Sequence, residues 1–175
     1  YSYKFTFGGK LMSDYSLVPF TNIKEVLPVL SKISLFGGLN DEELYFLFSL
    51  CEYGEFKKNN ILFQKDDSPN YIYIVISGQV KLYITQNNIE YDFLSFFSGD
   101  CIGEASLMSI EPHTATAVCH KKTKLLLLSR KTLFRLHKDN PSLFSKLILN
   151  IARELARRLH KNNDRLFQYL SSHNN

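Results

Sequence analysis

Cysteine is scarce in this chain of 175 residues, which contains only Cys51, Cys101 and Cys119. The three are widely separated, fit no zinc or haem-attachment spacing, and cannot all pair within one chain. They also fall short of the four thiolates that usually hold an iron–sulphur cluster. We therefore expect a protein of a reducing, cytoplasmic compartment.

Long apolar runs and clustered metal ligands are missing as well. No apolar run approaches the roughly 18 residues of a membrane span, and the aromatic and polar start of the chain is unlike a secretory signal. Catalytic metal sites need clustered histidines with a carboxylate, whereas the five histidines are scattered. No Ser/His/Asp or Cys/His arrangement can be identified. We expect no membrane segment, no metal, no cofactor and no enzymatic activity.

Positive charge is only in mild excess: the chain has 21 Lys and Arg residues against 17 Asp and Glu residues, which gives a net charge of +4. A nucleic-acid-binding domain usually has a denser basic face. Only five residues follow Leu170, so the sequence offers no recognition helix for DNA there. The length and the 45% hydrophobic content are those of one domain with appendages.

Short segments of strand-like composition fill the middle of the chain. Polar turns separate them at regular intervals, which indicates a sandwich or barrel. The run of four leucines in 124–129 is typical of a strand buried on both faces. The predicted strands lie within 55–63 (interrupted by a turn at Asn59 and Asn60), 71–76, 80–85, 89–97, 114–118 and 124–129.

Helical patterns flank these strands. A helix broken or kinked near Pro28 is predicted over 22–33. Asn40 and Glu43 form a capping-box pattern that begins a second helix, which ends near Cys51. Further helices are predicted over 130–137 and from Pro141 to Leu170.

The last helix carries an apolar seam at alternating steps of four and three residues, which is a heptad pattern. Two interpretations stay open: a helix that lies on its own barrel, and a parallel homodimeric coiled coil in which Asn162 fixes the register. The basic residues Arg153, Arg157, Arg158, Lys161 and Arg165 are interpreted as a solvated outer face. The seam consists of Ile148, Ala152, Leu155, Leu159, Asn162, Leu166 and Tyr169.

The stretch from Ser98 to Val118 combines a tight turn, a short helical turn of small residues and a returning strand. Small side chains allow backbone amides to face a ligand, and a run of such amides forms an anion-binding concavity. Glycines beside turns are more often turns alone. The stretch is therefore a candidate phosphate site, which we call the cassette.

The order of residues in the cassette resembles the cyclic nucleotide-binding domain family, as found in the sensors of bacterial catabolite activator-type regulators. The family pattern Phe/Ile-Gly-Glu-x-Ala/Gly-Leu followed by Pro-Arg-Ala/Thr-Ala matches 102–107 and 112–115 in order and spacing. The segment 77–83 and residues 156–159 also match. The resemblance implies an α+β fold: an antiparallel, jelly-roll-like β-barrel of about eight strands, with N-terminal helices and a long C-terminal helix.

The resemblance also implies three divisions of the chain: a leader or linker over 1–21, the nucleotide-binding barrel with its helices over 22–140, and a hinge or dimerisation helix with a tail over 141–175. It implies cyclic AMP or cyclic GMP as the ligand and a homodimer as the assembly. The residues that it implicates in ligand binding are Gly103, Glu104, Ala105, Ser106, His113, Thr114, Ala115, Asn162 and Asn163.

Each of these residues has an implied role. Glu104 would accept the ribose 2′-hydroxyl, and the amides near Gly103, Ala105 and Ser106 would hold the cyclic phosphate. Thr114 makes cyclic GMP an option. Asn162 and Asn163 fall where the family contacts the base, and their amide groups can read a purine edge.

The family's phosphate-binding arginine is replaced by His113 in this chain. Arginine is always charged and holds phosphate with a two-pronged fork, whereas histidine has an ordinary pKa of about 6.5 and at most two donors. Three outcomes stay open: weak or pH-dependent binding of a cyclic nucleotide, binding of another small ligand, and a fold that has lost its site and serves dimerisation or interaction.

Overall fold

The computed structural model describes residues 6–7, 10–11, 16–86 and 89–173. The strands are β1 (Thr6–Phe7), β2 (Lys10–Leu11), β3 (Val18–Pro19), β4 (Glu52–Phe56), β5 (Ile61–Phe63), β6 (Tyr71–Ser77), β7 (Val80–Gln86), β8 (Ile89–Phe96), β9 (Cys101–Ile102), β10 (Thr116–Cys119) and β11 (Thr123–Ser129). The α-helices are α1 (Asp41–Ser49), α2 (Glu104–Ser109), α3 (Arg130–Asp139) and α4 (Pro141–His173).

Two antiparallel sheets form the barrel. One has four strands in the order β5-β10-β7-β8, and the other has five in the order β3-β4-β11-β6-β9. The α+β fold with a jelly-roll-like antiparallel barrel is therefore confirmed, although the described residues place nine strands in these sheets where about eight were expected. Within the part of the chain that the structure describes, β1 and β2 form a separate two-stranded sheet.

Two apolar cores lie on the two faces of the five-stranded sheet. Side chains alternate along a strand, so neighbouring residues of β11 face opposite sides. Leu125 and Leu127 belong to the core inside the barrel, whereas Leu126 and Leu128 pack against the helices. All four are at most 1% exposed, which confirms the prediction of a strand buried on both faces.

The N-terminal helices are shorter than expected. The capping box of α1 is present: the Asn40 side chain accepts from the Glu43 amide, and the Glu43 carboxylate accepts from the Asn40 amide. The helix over 22–33 was predicted to be broken or kinked near Pro28, and the region is indeed broken, but into two 3-10 helices, Ile23–Glu25 and Leu27–Lys32. Pro28 explains the break, because it has no amide hydrogen with which to continue the first helix, whereas in the first turn of the second helix, where it stands, no such bond is needed.

Part of the segment expected to be a leader contributes to the domain. β3 pairs with β4, and Phe20 is buried in the core under the helices. At the start of the same segment, Thr6–Phe7 forms a short strand, and residues 1–5 lie outside the described residues.

Helix α4 has two unlike halves. In the first half Leu143, Leu147 and Ile151 are at most 1% exposed in the core. The buried amide of Asn150 donates to the carbonyl oxygens of Leu35 and Gly37 at 3.0 and 2.8 Å. From Leu159 to Ser172 every residue is exposed. The helix thus begins as part of the domain and extends beyond it.

Candidate functional site

The cassette is built around a left-handed glycine. Gly103 has φ +89°, and a Cβ added there would lie 2.8 Å from the carbonyl oxygen of Tyr71. Only glycine fits this conformation and this close approach without strain. The turn allows β9 to lead directly into α2, whose first amides have no partner within the helix and receive no side-chain cap.

A cavity of about 300 Å³ lies between the cassette and α4. One wall is the cassette, and the opposite wall consists of Leu155, Arg158, Leu159 and Asn162 from α4. Apolar side chains of the barrel form its floor. The remaining lining residues are Phe63, Leu82, Leu94, Phe96, Ile102, Gly103, Glu104, Ala105, Ser106, His113, Thr114 and Ala115.

Glu104 is a buried carboxylate with one oxygen occupied. The residue is 2% exposed. Its Oε1 accepts from Arg158 Nη1 at 2.5 Å, and its Oε2 is buried with no hydrogen-bond partner among the described residues. Burial raises the pKa of Glu104, and the Arg158 charge opposes that rise. Buried polar atoms are nearly always paired, so the free oxygen marks a place for a donor.

His113 lies in the cavity wall as a stacked, buried ring. It is 3% exposed, and its ring stacks on Phe63 with centroids 3.6 Å apart. Its backbone pairs with Asp66 and Asp67. Burial lowers the pKa of His113, and the charge of Asp67 only partly opposes this. The ring is therefore biased towards its neutral form.

Eight of the nine residues implicated from the sequence line this one cavity: Gly103, Glu104, Ala105, Ser106, His113, Thr114, Ala115 and Asn162. Asn163 does not line it and is exposed on α4. The roles assigned to all nine stay predictions.

Arg158 is the site residue that the sequence interpretation missed. It was placed on a solvated basic face, which was wrong, since its side chain is only 27% exposed and is paired with Glu104. The available signal was its spacing: Arg158 precedes Asn162 by four residues and so shares its helix face.

No group of three or more His, Cys, Asp or Glu side chains within the described ranges is placed to hold a metal ion. Among the same residues, no helix is both long and apolar enough to cross a membrane.

Comparison with protein families gives one match. Residues 54–140 match the model of the cyclic nucleotide-binding domain. These residues contain most of the barrel and the whole cassette.

Individual proteins of similar sequence and structure agree with this match. The cyclic AMP receptor protein of Thermus thermophilus is 30% identical over 120 residues, which are 68% of this chain and 56% of the receptor. This chain thus spans little more than half the length of that relative. A cyclic nucleotide-binding domain from Methylobacillus flagellatus superposes with TM-score 0.75 and 26% identity, over 86% of this chain and 88% of that one.

A third comparison is with the N-terminal domain of a transcriptional regulator from Streptomyces coelicolor. It superposes with TM-score 0.65 and 31% identity, over 78% of this chain and 95% of that domain. The similarity therefore extends over nearly the whole of a separately solved domain.

Proposed function

This chain belongs to the cyclic nucleotide-binding domain family, and on that premise we propose that it is a non-enzymatic regulatory module that binds cyclic AMP or cyclic GMP in the cavity between the cassette and α4. The observation that carries the proposal is Glu104 Oε2, a buried carboxylate oxygen without a partner among the described residues. A ribose 2′-hydroxyl is a donor of the kind that this oxygen lacks.

The rest of the ligand has matching surroundings. The amides at the start of α2, which receive no side-chain cap, suit a cyclic phosphate. The apolar floor suits the faces of a base, and Asn162 on α4 can donate to and accept from a purine edge. Thr114 also lines the cavity, which keeps cyclic GMP beside cyclic AMP as a candidate.

Helix α4 is the proposed relay. Because the cavity has one wall from the cassette and one from α4, a bound nucleotide touches both. A ligand shifts a conformational equilibrium only by its difference in affinity for the two states. We propose that the nucleotide favours the position in which α4 closes over the base. The exposed end of α4 then transmits this change of position to the second protomer of a homodimer.

Thermal unfolding with cyclic AMP, cyclic GMP and a linear nucleotide tests the binding. One cyclic nucleotide at about 100 times its dissociation constant should raise the unfolding temperature by roughly 5–10 °C. The linear nucleotide should not.

The same experiment at pH 6 and pH 8 tests the state of His113. Its pKa is lowered in the folded protein, so the stability that it contributes is present above its unfolded pKa of about 6.5 and falls as the pH drops below that value. The unliganded protein should therefore unfold more easily at pH 6, while the shift caused by the ligand should be the same at both values. A larger ligand shift at pH 6 would instead place a charged His113 on the phosphate.

A second candidate function is a module for dimerisation, or for sensing another small ligand, that has lost nucleotide binding. Large apolar side chains on the distal half of α4 favour it: Leu159, Leu166, Phe167, Tyr169 and Leu170 are each at least half exposed. Light scattering with and without cyclic nucleotide separates the two functions. A dimer whose mass and stability do not change when cyclic nucleotide is added would support the second function.

The domain boundaries and the cellular compartment of the protein are also part of the proposal. We propose that the chain from β3 to residue 140, together with the packed first half of α4, is the binding domain, and that the remainder of 141–175 is the dimerisation helix and tail. The three cysteines are buried free thiols, which supports a reducing, cytoplasmic compartment.

A further inference from the structure

We propose that Arg158, supplied by helix α4, is the cation that holds the ligand's phosphate in this protein, in place of the arginine that the cassette lacks. The inference rests on the proposed binding of a cyclic nucleotide and assigns the phosphate contact within that site.

The charged side chains that line the cavity identify Arg158 as the candidate phosphate ligand. Among the described lining residues the ionisable side chains are Glu104, His113 and Arg158. His113 is stacked on Phe63 and biased towards its neutral form. Glu104 repels an anion. Arg158 is thus the permanent positive charge in this wall, and a guanidinium binds phosphate oxygens with paired donors.

The guanidinium of Arg158 is held in place from several sides. Its Nε donates to Glu154 Oε1 at 3.1 Å, its Nη1 to Glu104 Oε1 at 2.5 Å and its Nη2 to the carbonyl oxygen of Cys101 at 2.7 Å. It also lies over the ring of Phe96, 5.2 Å from the centroid. A group fixed in this way loses little further freedom when a ligand binds.

Donors remain for a phosphate. Arginine has five N–H groups, and the three contacts to Glu154, Glu104 and Cys101 leave one N–H on each terminal nitrogen without a partner among the described residues. The pair with Glu104 can persist, because Glu104 keeps its second oxygen for the ribose hydroxyl. Phosphate and ribose would then be bound by two side chains that already touch.

This arrangement couples phosphate binding directly to the position of α4. An arginine in the cassette would hold the phosphate on the barrel side alone. Arg158 belongs to α4, so the phosphate itself would tie α4 to the cassette. Binding and relay would depend on the same residue.

Isothermal titration tests this proposal by measuring the affinities of wild type and of Arg158→Gln for cyclic AMP, cyclic GMP and the uncharged nucleosides adenosine and guanosine. The variant should bind the cyclic nucleotide that wild type prefers roughly 10- to 100-fold more weakly, and should bind the matching nucleoside as wild type does. Arg157→Gln is the control, since Arg157 is a neighbouring arginine that pairs with Glu154 and does not line the cavity.

Two further variants distinguish a direct contact between Arg158 and the phosphate from a purely structural effect of the substitution. The double variant Arg158→Gln, His113→Arg returns a guanidinium to the cassette and should regain most of the lost affinity. Arg158→Lys keeps the charge without the fork and should show an intermediate loss. Unfolding of each unliganded variant checks that the fold is intact.

The outcomes are distinct. Wild type that binds no cyclic nucleotide contradicts the proposed function itself. If wild type binds and Arg158→Gln binds equally well, or if the variant binds both ligand types more tightly, only the role of Arg158 is overturned. An equal loss for nucleotide and nucleoside, or no rescue by His113→Arg in a folded double variant, also overturns it.

Discussion

Replacing His113 by arginine should raise the affinity for a cyclic nucleotide by roughly 10- to 100-fold, because a hydrogen bond to a charged group contributes about 1.5–3 kcal/mol. The position belongs to the cassette and lines the cavity, so the added guanidinium lies on the side where the phosphate is proposed to bind. The neutral ring that it replaces contributes little charge there. Isothermal titration of both proteins with cyclic AMP and cyclic GMP measures the change.

His113→Gln is the matched control, since it removes the ring without adding charge. It should not gain affinity, and it should lose the destabilisation on acidification that we expect from His113. The native ring is buried and stacked on Phe63, so the unfolding temperature of each variant must be measured as well. A folded His113→Arg protein with unchanged or lower affinity would contradict the placement of the phosphate.

Replacing Leu147 by alanine should lower the free energy of unfolding by about 2–5 kcal/mol, the range for emptying a buried leucine site. Leu147 is fully buried in the core between the sheet and the helices. The unfolding temperature should fall by roughly 4–20 °C in a domain of this size. Chemical or thermal unfolding of the unliganded protein gives the value.

Leu166→Ala is the control on the same helix. Leu166 is 56% exposed, so the substitution should change the unfolding free energy of the protomer by no more than about 0.5 kcal/mol. If the exposed end of α4 forms the proposed dimer, the same substitution should weaken self-association measured by light scattering. Equal destabilisation by both variants would contradict the division of α4 into a packed half and a projecting half.

Local patterns predicted the parts of this fold that depend on neighbouring residues. Asn40 and Glu43 form the capping box because both partners lie within one turn. The leucines of β11 are buried on both faces, as a short continuous apolar run indicates. The cassette residues Gly103 to Ser106 are adjacent in sequence, so their convergence on one cavity required only a turn and a short helix.

Contacts between distant segments were the part that patterns missed. Arg158 and Glu104 are 54 positions apart, and a basic helix face of this kind is usually solvated. The heptad pattern could not separate packing on the barrel from pairing with a second helix, since both need apolar side chains at similar spacing. In the structure the first half of α4 packs on its own domain, and Leu166 and Tyr169 remain exposed.

Amide chemical shifts of the isotope-labelled protein during titration with cyclic AMP and cyclic GMP test the central claim most directly. We expect the largest changes at Gly103, Ala105 and Ser106, with changes of similar size around Arg158 and Asn162 on the facing wall. Millimolar cyclic nucleotide that leaves these amides unmoved, or that moves a different surface, would contradict binding in the cavity between the cassette and α4.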